Sequence, residues 1–389
     1  MKAARKRNHI DLLILTTVLI LMVVGLGVVY SASSTWAWER YRESSKLLGI
    51  HAIKVLIGIF AIFVFMHVDY KVYKKISKPA LLLSILALTV TLAFGGELKG
   101  AVRSLSVAGI SLQPSEFAKY ALVFHLAALL ALKRDGVRDL KTGFAPLMIW
   151  IGVVTALVLL QPNFSNGAMI ATTGMVLIFA GRVRLVHIGL TLAAMIPVLG
   201  AYLVSAPYRI DRLKSFLIGS GEINYQLKQG IIAFGSGGIL GLGPGQSRQR
   251  DFFLPESYGD FVYSIIGEEY GLIGSLFVML LFFVIMLRGL KIAKYALDDF
   301  GRLLAVGITS CITMYALVNA GVTLGLLPTT GFPMPFVSYG GSSMFVSSIA
   351  IGVLLNISSQ TDLHPRLTGA PVGVRPIEGK TPVVGTVYS

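Results

Sequence analysis

This chain is poor in charge, in acids and in cysteine. Only 14% of its 389 residues are Asp, Glu, Lys or Arg, while 54% are hydrophobic. Soluble domains carry about 25% charged residues, so the shortage excludes an ordinary soluble fold and implies a polytopic membrane protein. The one cysteine, Cys311, lies in an apolar run and rules out an intramolecular disulfide and a Cys-rich metal site. Nineteen acids stand against 34 Lys and Arg, a net charge of +15. That excess does not signal nucleic acid. The basic residues form short clusters between apolar runs, where they set membrane topology. A fixed-period repeat is also missing, which removes direct sequence support for an inverted-repeat transporter.

What the chain has is apolar runs. At about 20 residues per crossing, ten spans are expected near 11–31, 51–68, 79–95, 116–132, 143–161, 164–181, 185–205, 261–287, 303–324 and 338–357. The first follows KAARKRNH and imitates a secretory signal, but it is longer than a signal core and many spans follow, so it reads as an uncleaved helix. The short, basic segments then share one side with both termini, which places the termini in the cytoplasm. The fold class is an all-α polytopic membrane protein, one integral-membrane domain over residues 1–357. Residues 358–389, with four prolines among glycines, are expected to be a disordered cytoplasmic tail. Two outer segments, 95–119 and about 206–260 between the seventh and eighth spans, are too long for plain connectors and are expected to be structured.

Polar groups inside these runs are the candidate functional residues, because a mid-bilayer charge costs roughly 2.5–3.5 kcal/mol. LPESYGDFVYSIIGEEYG, residues 254–271, holds Glu256, Asp260, Glu268 and Glu269 with no Lys or Arg. Pro255 limits the helix upstream, so it is expected to begin near Asp260, as an N-cap or as a chemical group. Glu268 and Glu269 point about 100° apart, cannot both face one cavity fully, and read as structural. In QPSEFAKY, Pro114 suits a helix start and Ser115 a cap. Glu116 and Lys119 share a face there, either as an ion pair between helices or as a cavity-lining pair touching substrate. Arg209, Arg212 and Lys214 suit phosphate or a lipid headgroup, or a solvated face. The glycines of FGSGGILGLGPGQS, 234–247, follow no strand and read as packing rather than a nucleotide loop. LLPTTGFPMPFVSYGGSS, 326–343, reads as irregular backbone before the last helix. Its Ser338, Ser342 and Ser343 are available to a polar headgroup or to the freed backbone. His125 and His187 show no metal-like pairing.

Together these stretches resemble the SEDS family, the FtsW/RodA proteins of bacterial cell-wall synthesis. LPESYGDFVYSIIGEEYG is similar to its LPE…DF…GEE signature. YSASS, KGAVRSL, QPSEFAK, YRIDRL, YQLKQG, GGILGLGPGQS and LPTTGFPMPFVSYGGSS fall in the expected order between residues 30 and 343. Lys99 and the wording of 326–343 lean to the FtsW division branch over the RodA elongation branch. Two departures stand out. Ser104 replaces the Trp that often follows the loop arginine, and Asn163 replaces the Asp of a QPDxGT stretch, so no essential role is given to Asn163.

The resemblance implies a ten-helix glycosyltransferase of the cytoplasmic (inner) membrane that polymerises lipid II, an undecaprenyl-pyrophosphate-linked disaccharide peptide. It implies partnership with a class B penicillin-binding protein and other divisome or elongasome membrane proteins. The essential aspartate matches Asp260, the fourth-helix Glu and Lys match Glu116 and Lys119, and the loop arginine matches Arg103. Gln226, in YQLKQG, joins Arg209, Arg212 and the three serines as a substrate-binding candidate. Asp260 is the expected general base at the outer headgroup level, with Lys119, Arg103 and Arg209 or Arg212 stabilising the pyrophosphate leaving group. No dedicated metal cage is visible, although a divalent cation, Mg or Mn, could share that task. Two other readings fit the broken helices and buried charges: a lipid II flippase, and a scaffold that activates a transpeptidase.

Overall fold

A computed structural model describes residues 9–98, 101–107, 110–204, 210–211, 214, 222–251 and 253–361. The chain is a helical bundle: α1 (Leu12–Tyr41), α2 (Lys46–His67), α3 (Tyr70–Phe94), α4 (Pro114–Lys133), α5 (Ala145–Leu160), α6 (Phe164–Ala180), α7 (Leu185–Val204), α8 (Glu222–Gly237), α9 (Val262–Lys294), α10 (Asp299–Thr323) and α11 (Gly341–Gln360). Among the described residues, eight helices are long and apolar enough to cross a membrane. Two shorter apolar helices, Phe164–Ala180 and Leu185–Pro197, occupy the sixth and seventh expected places. The polytopic membrane fold thus stands, while among the described residues eight of the ten expected spans meet the length and composition of a full crossing.

Apolar composition alone did not rank the helices; packing does. In α4 and α11, 78% and 83% of the apolar stretch is buried, against 28% in α3. A helix that is apolar all round and yet exposed must meet lipid. α2 and α3 do so with Leu56, Phe60, Phe63, Leu83 and Phe94. α4, α10 and α11 form the centre, which is where a buried polar group can find partners.

Polar ties fasten the two ends of the bundle. At one end Asp11 caps α1 by accepting from Ile14 N and receives Arg288 of α9, Nη2 to Oδ2 2.6 Å. The Asp11 N–H donates to Ser358 Oγ, and Asn356 Oδ1 accepts from Tyr70 N at 2.8 Å. At the other end lie the starts of α4, α9 and α11, joined by Gln113 N–H to Ser342 Oγ and Tyr339 N–H to Tyr258 O.

The segment expected to be structured before α4 is a small antiparallel sheet, β1 (Gly96–Leu98), β2 (Ala101–Val107) and β3 (Ile110–Leu112), in the order β1-β2-β3. Val102 pairs with Glu97 and Ser104 with Gly96. Arg103 is therefore the extra residue of a bulge, a feature that bends and twists a strand locally.

Several local expectations change. α9 begins at Val262 with Phe261 as N-cap and no side-chain cap, so Asp260 is not the cap. Ser115 does not cap α4 either: the N-cap is Gln113, and Ser115 Oγ accepts from Asn166 Nδ2 at 3.0 Å. α1 runs ten residues past its expected end at 31, to Tyr41, and α3 starts at Tyr70 with Pro79 inside. α11 reaches Gln360; the tail from 362 lies outside the described residues.

The largest departure is a break in α9. Gly271 has φ 64° and ψ −162°, inside an otherwise helical run. The glycine-rich stretch after α8 fills the gap. Leu242 N and Gly243 N donate to the carbonyls of Glu268 and Glu269, and Leu272 N and Ile273 N donate to those of Gly238 and Ile239. Such contact needs bare backbone. A Cβ on Gly241 would lie 2.2 Å from Glu269 O, and one on Gly237 would lie 2.0 Å from Gly267 O. The glycines serve packing, and a membrane-depth break is tolerated because another segment satisfies its backbone groups.

Candidate active site

Asp260 sits in the turn before α9, partly exposed. Main-chain ties set the position of this turn. Gly259 N and Phe261 N both donate to the Glu256 carbonyl, and Ser257 Oγ donates to Ala32 O of α1. Glu256 has φ 57° and Phe336, in the segment before α11, φ 64°. A non-glycine residue there costs roughly 1–2 kcal/mol, and both strained residues lie in the segments that frame Asp260. Asn319 of α10 holds those two segments together. Its Nδ2 donates to the Asp260 carbonyl at 2.8 Å and to the Phe332 carbonyl at 2.6 Å. The Asp260 carboxylate faces Gly331, where a Cβ would lie 3.4 Å from Oδ2.

Aromatic rings wall one side of the turn. Tyr258 packs against Trp36 of α1 and edge-on against Tyr339, at 5.8 Å between ring centres in each case. Burial pushes the Tyr258 phenol up to about 12, with the nearby Glu256 charge adding to it. Tyr258 therefore stays protonated at neutral pH.

Glu116 and Lys119 form an enclosed pair in α4, Nζ to Oε2 2.7 Å, with side chains 4% and 3% exposed. The ammonium also lies 3.9 Å from the centre of the Tyr315 ring, whose face offers a second stabilising contact. Tyr315 donates to Asn166 Oδ1, which links the pair to Ser115. Tyr315 also packs on Phe332 at 4.9 Å. One turn along α10 from Tyr315 stands Asn319. A continuous run of contacts thus joins the buried pair to the Asp260 turn. Because the pair is enclosed, a substrate reaches it only if neighbouring groups move aside.

The remaining candidates divide. Ser338 Oγ accepts from Met334 N at 2.8 Å and Ser342 Oγ from Gln113 N at 3.1 Å, so both hydroxyls serve freed backbone. Ser343 is buried in the first turn of α11. Gln226 Nε2 donates to Pro255 O, tying α8 to the acid-bearing stretch. Arg103 stands at the β2 bulge, and Arg209 and Arg212 lie outside the described residues. Glu268 and Glu269 both bond to the glycine-rich loop, in the structural role expected of them. Ser247 Oγ donates to Glu268 and Ser247 N to Glu269, because the glycine-rich loop folds over both. Glu268 also accepts from Arg248 N and Gln249 N, and Glu269 from Ser31 Oγ. Both acids are structural partners of the loop.

Asn319, Tyr315 and Asn166 were not singled out from the sequence. The available signal was an amide and a phenol four residues apart in an apolar helix, a spacing that shares a face.

The family described as "Cell cycle protein", that of FtsW, RodA and SpoVE, matches residues 11–363. The chain belongs to the FtsW/RodA/SpoVE family. Among its relatives is a protein of Trichlorobacter lovleyi named probable peptidoglycan glycosyltransferase FtsW, 39% identical over 92% of this chain and 95% of that one. Stage V sporulation protein E of Bacillus subtilis is 38% identical over 91% and 98%. The FtsW-like branch fits these relatives. The fold is similar to that of a chain solved in a peptidoglycan synthase complex that coordinates polymerization and crosslinking (TM-score 0.74, 23% identity, 90% and 97% covered).

Proposed function

We infer that this FtsW-like chain is a peptidoglycan glycosyltransferase that polymerises lipid II on the outer face of the cytoplasmic membrane, with both termini in the cytoplasm. The observation that carries the mechanism is Asp260, partly exposed at the mouth of α9, with its main-chain carbonyl held by Asn319 and its turn closed on the Glu256 carbonyl. A sugar hydroxyl is a poor nucleophile at neutral pH. Asp260 takes its proton as the oxygen attacks the anomeric carbon of a second lipid-linked sugar. The new carbon–oxygen bond forms as the bond to pyrophosphate breaks, and the lipid pyrophosphate leaves with the electron pair. Cationic groups stabilise that departure. Arg103, Arg209 and Arg212 are proposed for this role, with Lys119 joining once its pair is uncovered. Among the described residues no three His, Cys, Asp or Glu side chains gather as metal ligands. A magnesium or manganese ion would, among the described residues, have no protein cage and would accompany the substrate's pyrophosphate; no step is assigned to it.

The proposed partners are a class B penicillin-binding transpeptidase, which crosslinks the strands, and other divisome or elongasome membrane proteins. The decisive experiment uses labelled lipid II in detergent, with no membrane to cross, with and without that transpeptidase. Glycan product is expected from the wild-type chain. Asp260→Asn and Asp260→Ala should lose about 100-fold or more of the rate while remaining folded. Normal product from either variant would remove Asp260 as base, and no product under any condition would leave a flippase or a scaffold.

A further inference from the structure

The first turn of α11 faces a lysine that the mechanism does not use. Lys54 projects from α2 with its ammonium 3.5 Å from the centre of the Tyr339 ring. Among the described residues it has no carboxylate partner. Its Nζ lies 3.9 Å, and its Cε 3.4 Å, from the point a Cβ on Gly341 would occupy. Gly340, the N-cap of α11, supplies no side chain to the helix start. The first N–H groups of a helix have no intrahelical acceptor, and the helix start carries partial positive charge. One turn earlier on α2, His51 is fully buried and packs against the same Tyr339 ring at 5.6 Å. Among the described residues neither of its ring nitrogens has a hydrogen-bond partner. A buried polar group without a partner carries a desolvation cost that a bound ligand can relieve.

Three donors of one character therefore meet around Tyr339: an ammonium without a carboxylate, a helix start without a side-chain cap, and an imidazole without a partner. A lysine that merely rose to the membrane surface would need neither of the other two. We propose that Lys54, His51 and the α11 N-terminus form a phosphate-anion site beside the Asp260 turn. Tyr339 places it there, since its N–H donates to Tyr258 O and its ring packs on the Tyr258 ring. The glycosyltransferase reading is used only to name the occupant, the pyrophosphate of a lipid-linked sugar whose tail remains in the bilayer. The headgroup of an anionic phospholipid presents the same chemistry.

The test is equilibrium binding to the purified full chain, using labelled farnesyl pyrophosphate and, separately, labelled phosphatidylglycerol. Lys54→Gln should weaken binding about tenfold or more, the loss of one charge-assisted contact. Lys54→Arg should retain most of it, and Gly341→Ala, which places a methyl against the lysine, should weaken it independently. Loss of farnesyl pyrophosphate binding assigns the site to substrate. Loss of phosphatidylglycerol binding alone assigns it to the bilayer's own headgroups. Unchanged binding of both probes in Lys54→Gln and in Gly341→Ala overturns the site, even if the wild-type chain polymerises lipid II. Weakened binding in these variants, together with a wild-type chain that makes no glycan, keeps the site and removes the glycosyltransferase reading instead.

Discussion

At the scale of single residues, one amide carries an outsized share of the geometry. Asn319 spends both donors of its Nδ2 on main-chain carbonyls, those of Asp260 and Phe332, from a position 1% exposed. Leucine there would leave two carbonyls to find other donors in a region shielded from water, a cost of about 1–3 kcal/mol for each group left unsatisfied. Asn319→Leu is expected to lower kcat for lipid II polymerisation about tenfold or more with little change in KM, since it shifts the base and removes no substrate contact. A rise in KM with kcat unchanged would show that Asn319 serves substrate binding instead. The buried pair of α4 behaves differently. Glu116→Gln leaves the Lys119 charge enclosed without its counter-ion, and breaking a buried pair costs about 3–5 kcal/mol. A lower thermal unfolding midpoint is expected before any effect on turnover can be read, whereas replacing both members with apolar residues should restore much of the midpoint.

At the scale of elements, α9 is two helices joined at Gly271, and its continuity depends on the loop after α8. Gly271 is surrounded at 2.5–2.6 Å from its Cβ position by the backbone of Ile239 and Gly241, and its φ is positive. Gly271→Ala and Gly241→Ala should both destabilise the fold by several kcal/mol, roughly the sum of a left-handed backbone penalty and a displaced ladder. Gly27 and Gly49, with open space at their Cβ positions, are the controls and should tolerate alanine. Thermal unfolding in detergent measures all four. This break also marks where reading the sequence runs out. Apolar runs announce helices because each residue's tendency to leave water is local. The break is set by a segment some thirty residues earlier, and no property of LPESYGDFVYSIIGEEYG alone predicts that its last glycine is left-handed. The strands of 96–112 escaped notice for a similar reason, being three to seven residues long and stabilised by pairing with one another. Asp260, Glu116 and Lys119 were legible because charge in an apolar context is conspicuous in one dimension. Asn319 was not, since its role lies in bonds to residues 59 and 13 positions away. Ser115 shows the opposite error: a local capping rule gave way to an amide from α6.

At the scale of the whole molecule, the bundle has a polar layer at each end and an apolar girdle between. One layer contains Asp11, Tyr70, Asn356 and Ser358; the other contains Gln113, Tyr258, Tyr339 and Ser342. The proposed orientation puts the first layer in the cytoplasm, in keeping with the basic short loops near Lys71, Lys133 and Lys291. Cysteines introduced at exposed positions after replacement of Cys311 check it. A membrane-impermeant maleimide applied to intact spheroplasts should label Phe253→Cys and spare Lys141→Cys. The reverse pattern would invert the topology and with it the side on which Asp260 works.

The double grip of Asn319 has one further mechanical meaning. The loop bearing the acid and the loop leading into α11 are riveted to a common post on α10, and the hydrogen bond from Tyr339 to Tyr258 closes the frame. Whatever pulls on the last loop from outside therefore drags the Asp260 main chain with it. In this scaffold the main chain that carries the base can be re-aimed from a distance.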